Sequence, residues 1–351
     1  MPNIAQAIRL ALHKGETSLG VQDIFGQDVG PPLGGVFTCT QGLNTTWNTP
    51  LDERGIVGMA LGLALMGRRP VAEIQFCDYI YNTIDLLKLA GNTLWCSNGQ
   101  FNVSMVLMTP VGAGIHGSIY HSHSFDAMAT HIPGWKIVLP SNPLDAYGLM
   151  ISAIKDPNPV LFMHPKALIR VNSDHWFKGF MNDEELSQRI DAPIGDRSKW
   201  KPSWPELPEF EVPLGIARKV TVGEQLTVLS YGRMLQLCEK AALELKTQEN
   251  LSVEVIDARS LVPFDFDMLF ASVKKTHRLL VVNEDTEVTN FGEHIIRKTL
   301  DHCFYELEVA PQLFAGLNTP GIGLAHTLEE VQVPQFQSIK QKMMHMALHE
   351  G

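Results

Sequence analysis

The chain has 351 residues, 45% hydrophobic and 19% charged, the balance of a globular protein that buries a core and not of a disordered chain. Its 28 Lys+Arg stand against 38 Asp+Glu, a net charge of -10, so it lacks the basic excess of a general nucleic-acid binder. At about 100–200 residues per domain, the length suggests two domains. No stretch approaches the roughly 20 apolar residues of a membrane helix, and the opening residues carry no secretory pattern. Cys39, Cys77, Cys96, Cys238 and Cys303 are scattered without a CxxC pair, which argues against zinc and for a reducing, cytoplasmic location.

In chain order, Ile4, Ile8 and Leu12 mark one face of a helix that Gly15 is expected to end. Residues 55–67 read as a helix despite Gly55, Gly58, Gly62 and Gly67. Each would cost close to 1 kcal/mol at an exposed interior position, so close approach of another backbone is expected there. Strands are expected at 71–76 and 103–108, with a helix over 80–95 between them. KIVLP, PLDAYGLMISAI and PVLFM repeat strand, helix, strand. Residues 172–212, with Pro193, Pro202, Pro205, Pro208, Trp176, Trp200 and Trp204, break the alternation and read as a connector packed on the surface. A second alternating block follows: LTVLSYG, a helix over 234–245, SVEVIDARS, a short helix near Phe266, RLLVVNED, and helices over 291–300 and 334–348. Such alternation implies parallel sheets covered by helices.

Three segments could carry chemistry. Asp52 and Glu53 precede the glycine-rich helix, where the helix dipole favours a carboxylate; the same pattern also serves as a plain N-cap. His116, His121 and His123 lie within eight positions among small residues. They suit proton transfer near neutral pH or an HxH metal pair, though nothing nearby completes a zinc site, and a polar loop would read the same way. Asp156 and Asn158 in AIKDPNP are ordinary turn residues. A GxxxxGK[ST] loop, a GxGxxG after the first strand and a GxSxG elbow are all missing, which removes the usual phosphate-loop, dinucleotide and hydrolase signals.

The runs GQDVGPPLGGVFTCTQGL, NTPLDERGIVG, AEIQFCDYIYNTID, GIHGSIYHSHSFDAMATHIPGWKIVLPSNPLDAYGLM and AIKDPNPVLFMHPKAL occur in that order. Together with DARSLVPFDFDML and LLVVNED they resemble the beta subunit of the thiamine-diphosphate-dependent decarboxylase component of 2-oxo acid dehydrogenase complexes. The branched-chain (2-oxoisovalerate) type is the nearest resemblance. It implies an α/β fold: a transketolase-like pyrimidine-binding domain over residues 1–171, the connector at 172–212, and a transketolase C-terminal domain over 213–351.

The resemblance also implies roles. Glu53 matches the glutamate that hydrogen-bonds the cofactor's aminopyrimidine and favours its imino form. Gln75 and Tyr79 match residues lining the pyrimidine. His121 matches the histidine of reductive acylation of a lipoyl group, while His123 stands where glutamine is usual. A potassium ion is implied near Val103, Met105 and Val106 and the turn of Ala153, Asp156 and Asn158, largely through carbonyls. This chain departs from the family pattern at Gln27, His164 and Asp23. It also lacks the GDG motif that holds magnesium and diphosphate, which implies an alpha subunit completing the site in an α2β2 assembly. A lipoyl-bearing acyltransferase core and a small 2-oxo acid are the other implied partners. Pyruvate or acetoin dehydrogenase beta subunits, and a non-catalytic paralogue, remain alternatives.

Overall fold

The computed structural model describes residues 2–197 and 199–348. It divides into two compact units, Met1–Pro110 with His131–Leu214, and Val111–Thr130 with Gly215–Gly351. The order up to the connector is α1 (Ile4–Ser18), β1 (Asp23–Gly26), β2 (Thr46–Asn48), α2 (Glu53–Leu65), β3 (Pro70–Glu73), α3 (Ile84–Cys96), β4 (Val106–Val111), α4 (Asp126–Thr130), β5 (Lys136–Val138), α5 (Pro143–Lys155), β6 (Val160–Pro165) and α6 (Asp183–Ile190). After it come β7 (Arg218–Thr221), β8 (Leu226–Ser230), α7 (Gly232–Gln248), β9 (Val253–Asp257), β10 (Ser260–Val262), α8 (Phe266–Thr276), β11 (Leu279–Thr286), α9 (Phe291–Cys303), β12 (Gln312–Gly316), α10 (His326–Gln332) and α11 (Phe336–Leu348).

In the first unit β5, β6, β4, β3, β1 and β2 lie side by side in that order. The β1–β2, β1–β3, β3–β4 and β5–β6 pairs are all parallel. Parallel neighbours need long crossovers, which the helices supply. Helix α1 starts at a capping box: Asn3 Oδ1 accepts from Gln6 N at 3.0 Å and Gln6 Oε1 from Asn3 N at 3.1 Å. Its Ile4, Ile8 and Leu12 enter one core with Tyr147, Leu149 and Ile151 of α5. Asn142 caps α5, and Pro143 takes its first turn, where no N–H is needed.

In the second unit the order is β12, β11, β8, β9, β7. All pairs are parallel except β7 with β9. Leu235, Cys238 and Leu245 of α7 pack with Ile339, Met343 and Met346 of α11.

Four expectations are corrected. Helix α1 runs past Gly15 to Ser18; a Cβ at Gly15 would lie 3.0 Å from Ile154 and 3.1 Å from Val21, so that glycine serves packing. Among the described residues no other backbone comes close at the glycines of α2: Gly62 faces open space and Gly58 meets only the Leu86 side chain. The strand expected at 103 begins at Val106, because Val103 N bonds Pro157 O and Met105 N bonds Val103 O instead of a neighbouring strand. The connector does more than pack on the surface: its Trp176, Leu186, Ile190 and Val212 are buried in the first unit's core.

Asp23, unusual in a core strand, pairs with Arg68 Nε at 2.8 Å. A second buried charge organises more. Arg9, wholly enclosed, donates to Thr38 O at 2.9 Å, Ile190 O at 2.6 Å and Asp191 Oδ1 at 2.8 Å. Removing one partner of such a network strands the others without solvent. Arg9→Ala is expected to lower the unfolding free energy of the first unit by about 3 kcal/mol, read by urea unfolding. A change within about 0.5 kcal/mol, the range of ordinary surface substitutions, would show that the network contributes little.

Candidate functional site

Glu53 is the first residue of α2, and Asp52, its N-cap, accepts from Gly55 N at 3.0 Å. Asp52 therefore does the capping, and Glu53 is left half-buried in the first turn, on the positive end of the helix. Helix α2 packs against the 3-10 turn Cys77–Thr83 that follows β3. Tyr79 in that turn has its phenol raised by burial, by Asp78 and by the Glu53 carboxylate. The structure thus brings Glu53 and Tyr79 into one environment.

Gln75 lies just beyond β3, and its amide is aimed by two acceptors. Nε2 donates to Gln27 O at 3.3 Å and to Asp28 Oδ2 at 3.1 Å. Asp28 takes a positive φ of 60°, a conformation that aspartate tolerates better than most residues. Rings line the same turn: Phe37 to Phe76 at 6.1 Å and Phe76 to Tyr79 at 6.0 Å, both edge-to-face. A carboxyl at a helix start, an oriented amide and an aromatic wall form a donor set that suits a flat, nitrogen-bearing ring.

Two buried groups nearby were not anticipated as site features. Glu73, the last residue of β3, is enclosed, and burial raises its carboxyl to about 8 against a hydrogen bond from the Val36 backbone. Its Oε1 accepts no hydrogen bond among the described residues. The only sequence signal was a carboxylate inside the otherwise apolar VAEI. His164, where the family pattern differs, is fully buried in β6. Burial and then Lys166 push it down to about 3, so it is neutral; the Lys166 ammonium sits 5.7 Å from the Phe76 ring centre.

His121 belongs to the second unit, within Val111–Thr130. Its Nδ1 lies 3.1 Å from Gly117 O. A carbonyl only accepts, so in the neutral ring Nδ1 carries the proton and Nε2 the lone pair. His123 O accepts from Gly112 N at 2.8 Å, closing the segment on itself. His116 is exposed and pairs with Glu329 at 3.5 Å. Asp126, which opens α4, is enclosed; burial and then Asp285 and Glu284 raise it well above the carboxylate range.

The two stretches of the potassium expectation are neighbours: Val103 N donates to Pro157 O at 3.2 Å, and Met105 O accepts from Val160 N at 2.9 Å. Asp156 Oδ2 is paired with Lys136 Nζ at 2.5 Å, and its Oδ1 accepts from Asn158 N and Nδ2, each at 2.9 Å. Its carboxylate is thereby already neutralised, which leaves carbonyls for any cation. Ala153 and Val106 are buried beside these turns. Among the described residues, no group of three or more His, Cys, Asp or Glu side chains is arranged to hold a metal. A cavity of about 790 Å³ lies elsewhere in the first unit, between Pro31, Gln41, Thr46, Ala192, Arg197 and Trp200; none of the expected site residues lines it.

Residues 4–172 match the family model of the transketolase pyrimidine binding domain, and residues 215–339 that of the transketolase C-terminal domain. The chain is 40% identical over 306 residues to the 2-oxoisovalerate dehydrogenase subunit beta of Pseudomonas aeruginosa, covering 85% of this chain and 82% of that one. It is 37% identical over 326 residues to the mitochondrial 2-oxoisovalerate dehydrogenase subunit beta 2 of Arabidopsis thaliana, covering 91% and 82%. A pyruvate dehydrogenase beta subunit from Acholeplasma laidlawii is 35% identical over 322 residues, covering 90% and 88%. A solved split-gene transketolase, described as an inactive beta4 tetramer, superposes with a TM-score of 0.67 at 15% identity over 99% of this chain and 100% of that one. At that identity the likeness shows the fold.

Glu73 generates a pH prediction. Its folded value of about 8 lies above the ordinary glutamate value of about 4.3. Below the ordinary value both states hold the proton and nothing is lost. Between the two values only the folded state keeps it, so stability falls as pH rises, by up to about 1.4 kcal/mol per unit. Glu73→Gln is expected to remove this slope and to gain about 2–4 kcal/mol on wild type between pH 5 and pH 8, measured by urea unfolding. Parallel profiles for the two proteins would refute the assignment.

Proposed function

Because the chain belongs to the family of beta subunits of 2-oxo acid dehydrogenases, we propose that it is the catalytic beta subunit of a branched-chain 2-oxo acid dehydrogenase, acting on a 2-oxo acid of the 3-methyl-2-oxobutanoate type. The observation that carries this reading is the grouping of Glu53, Tyr79 and Gln75 around the start of α2 and the end of β3. The relatives support the substrate class.

In this reading Glu53, Gln75 and Tyr79 hold the pyrimidine half of thiamine diphosphate. When bound, the cofactor supplies an acidic ring carbon and a sink for the electrons released with carbon dioxide. Glu53 holds a proton at the ring nitrogen and thereby sets the tautomer of the aminopyrimidine. Phe76 and Tyr79 would help to exclude water from the ring. His121, with its lone pair on Nε2, moves a proton during acyl transfer to a lipoyl group. The chain offers no GDG motif, so the reading assigns magnesium and the diphosphate to an alpha subunit in an α2β2 assembly.

Large apolar side chains along α2 and α3 support a covering partner: Met59, Leu65, Met66, Leu89 and Trp95 are all exposed. The proposal includes a potassium ion held by carbonyls of the Val103–Val106 and Ala153–Asn158 stretches, and a lipoyl-bearing acyltransferase core as the acyl acceptor. It assigns residues 1–171 to the pyrimidine-binding domain, 172–212 to the connector and 213–351 to the C-terminal domain. The free thiols of all five cysteines support a reducing, cytoplasmic location. No helix of the described residues is long and apolar enough to cross a membrane.

Co-expression with an alpha chain, followed by decarboxylation assays with and without thiamine diphosphate, tests the reading. The branched 2-oxo acid is expected to exceed pyruvate in kcat/KM by about 10-fold or more, the discrimination that one or two methyl groups allow. The reverse preference would favour the pyruvate alternative, and no activity on any 2-oxo acid would defeat both. Glu53→Gln is expected to cut decarboxylation by about 100-fold or more with circular dichroism unchanged. Unchanged decarboxylation in that variant would leave the chain as a non-catalytic paralogue.

A further inference from the structure

The segment Val111–Thr130 that carries His121 has little regular structure of its own. It contains two short helical turns, Ser118–Tyr120 and Asp126–Thr130. Two of its residues other than glycine, His116 and Ser118, sit at positive φ of 55° and 63°. Each such conformation is strained and persists only where the surroundings hold it.

Three carboxylates supply that hold, each taking a backbone N–H of the segment. Glu284 Oε2 accepts from Ala113 N at 2.9 Å. Asp285 Oδ2 accepts from Ala127 N at 3.1 Å. Glu329 Oε2 accepts from His116 N at 3.3 Å. Glu284 and Asp285 lie near the end of β11, and Glu329 lies on α10. Arg233, near the start of α7, stands between two of them, with Nη1 3.8 Å from Glu284 and 3.9 Å from Glu329. Gly112 is required beside this grip: its φ is +84°, and a Cβ there would lie 2.3 Å from Glu284 Oε1. Two contacts, at Ala113 and His116, fall near the start of the segment and one, at Ala127, near its end, with His121 between them.

We propose that Glu284, Asp285 and Glu329, with Arg233 balancing two of them, are positioning residues that clamp the backbone of the His121 segment for acyl transfer. None of them needs to touch substrate or cofactor. The clamp fixes the carbonyl of Gly117, which in turn sets the tautomer and direction of the His121 ring. This inference rests on the role given to His121 under the proposed function.

The test uses the assembled alpha–beta complex and the variants Glu329→Ala, Glu329→Gln, Asp285→Ala and His121→Ala. Two reactions are followed separately: decarboxylation with an artificial dye as electron acceptor, and reductive acylation of a free lipoyl domain. Hydrogen exchange of peptides covering residues 112–130 is measured alongside. Glu329→Ala and Asp285→Ala are expected to speed exchange of the segment and to lower lipoyl acylation by about 10-fold, the upper end for losing one hydrogen bond. Dye-linked decarboxylation should stay within about two-fold, since the clamp acts on the His121 segment and not on the residues assigned to the pyrimidine ring. Glu329→Gln keeps an acceptor oxygen and should recover most of the acylation.

Unchanged exchange in both alanine variants, or equal loss of both reactions with no recovery in Glu329→Gln, overturns the clamp. His121→Ala separates the two readings. If it acylates lipoyl domains as wild type does, the histidine's role fails and with it the clamp's purpose. If it loses acylation while the alanine variants leave exchange unchanged, the role stands and the clamp alone fails.

Discussion

A buried guanidinium has no tolerable state except a fully paired one, and that constraint at Arg9 organises the first unit. The side chain rises from α1 and ends on Thr38 O, Ile190 O and Asp191. Helix, glycine-rich loop and connector therefore meet at one cation. The same loop carries Asp28, which aims the Gln75 amide, and Phe37, which begins the aromatic wall. The geometry around Glu53 and Tyr79 is thus backed by a charge pair far along the chain from either. Burying such a pair gives up solvation, and here the geometry of four acceptor contacts offsets it.

Carboxylates are used in two different ways. Glu73 and Asp126 are enclosed, and burial pushes both carboxyls upward. Glu284 and Glu329 face backbone N–H groups and a guanidinium. The difference lies in the donors each environment supplies, since all four are common acids. Glu284, Asp285 and Glu329 all bind backbone N–H groups of the His121 segment.

Much of the architecture was legible in sequence. Apolar strands alternating with amphipathic helices led to parallel sheets, as β1 with β3 and β8 with β9 show. Glu53 was legible as a carboxylate at a helix start, and Asp52 as its cap. The readings that failed did so where composition is ambiguous. Gly15 resembles a helix stop, yet the space beside Ile154 and Val21 demanded the small residue. The aromatic connector resembled a surface strap because its prolines hid the core positions of Trp176, Leu186 and Ile190. Asp23 looked misplaced until Arg68 was seen beside it.

By itself the sequence determined the fold class, the order of elements and the family, because hydrophobic period and motif order are local properties of the chain. The protonation of Glu73, the aim of Gln75 and the hold on the His121 segment were decided only in three dimensions. Ala113 and Glu284 are 171 positions apart, and His116 and Glu329 are 213 apart. No local pattern can report a carboxylate that reaches a backbone N–H across such a distance. Which acids are ionised, and which amides they grip, depends on the dielectric and the donors that the packed chain places around them.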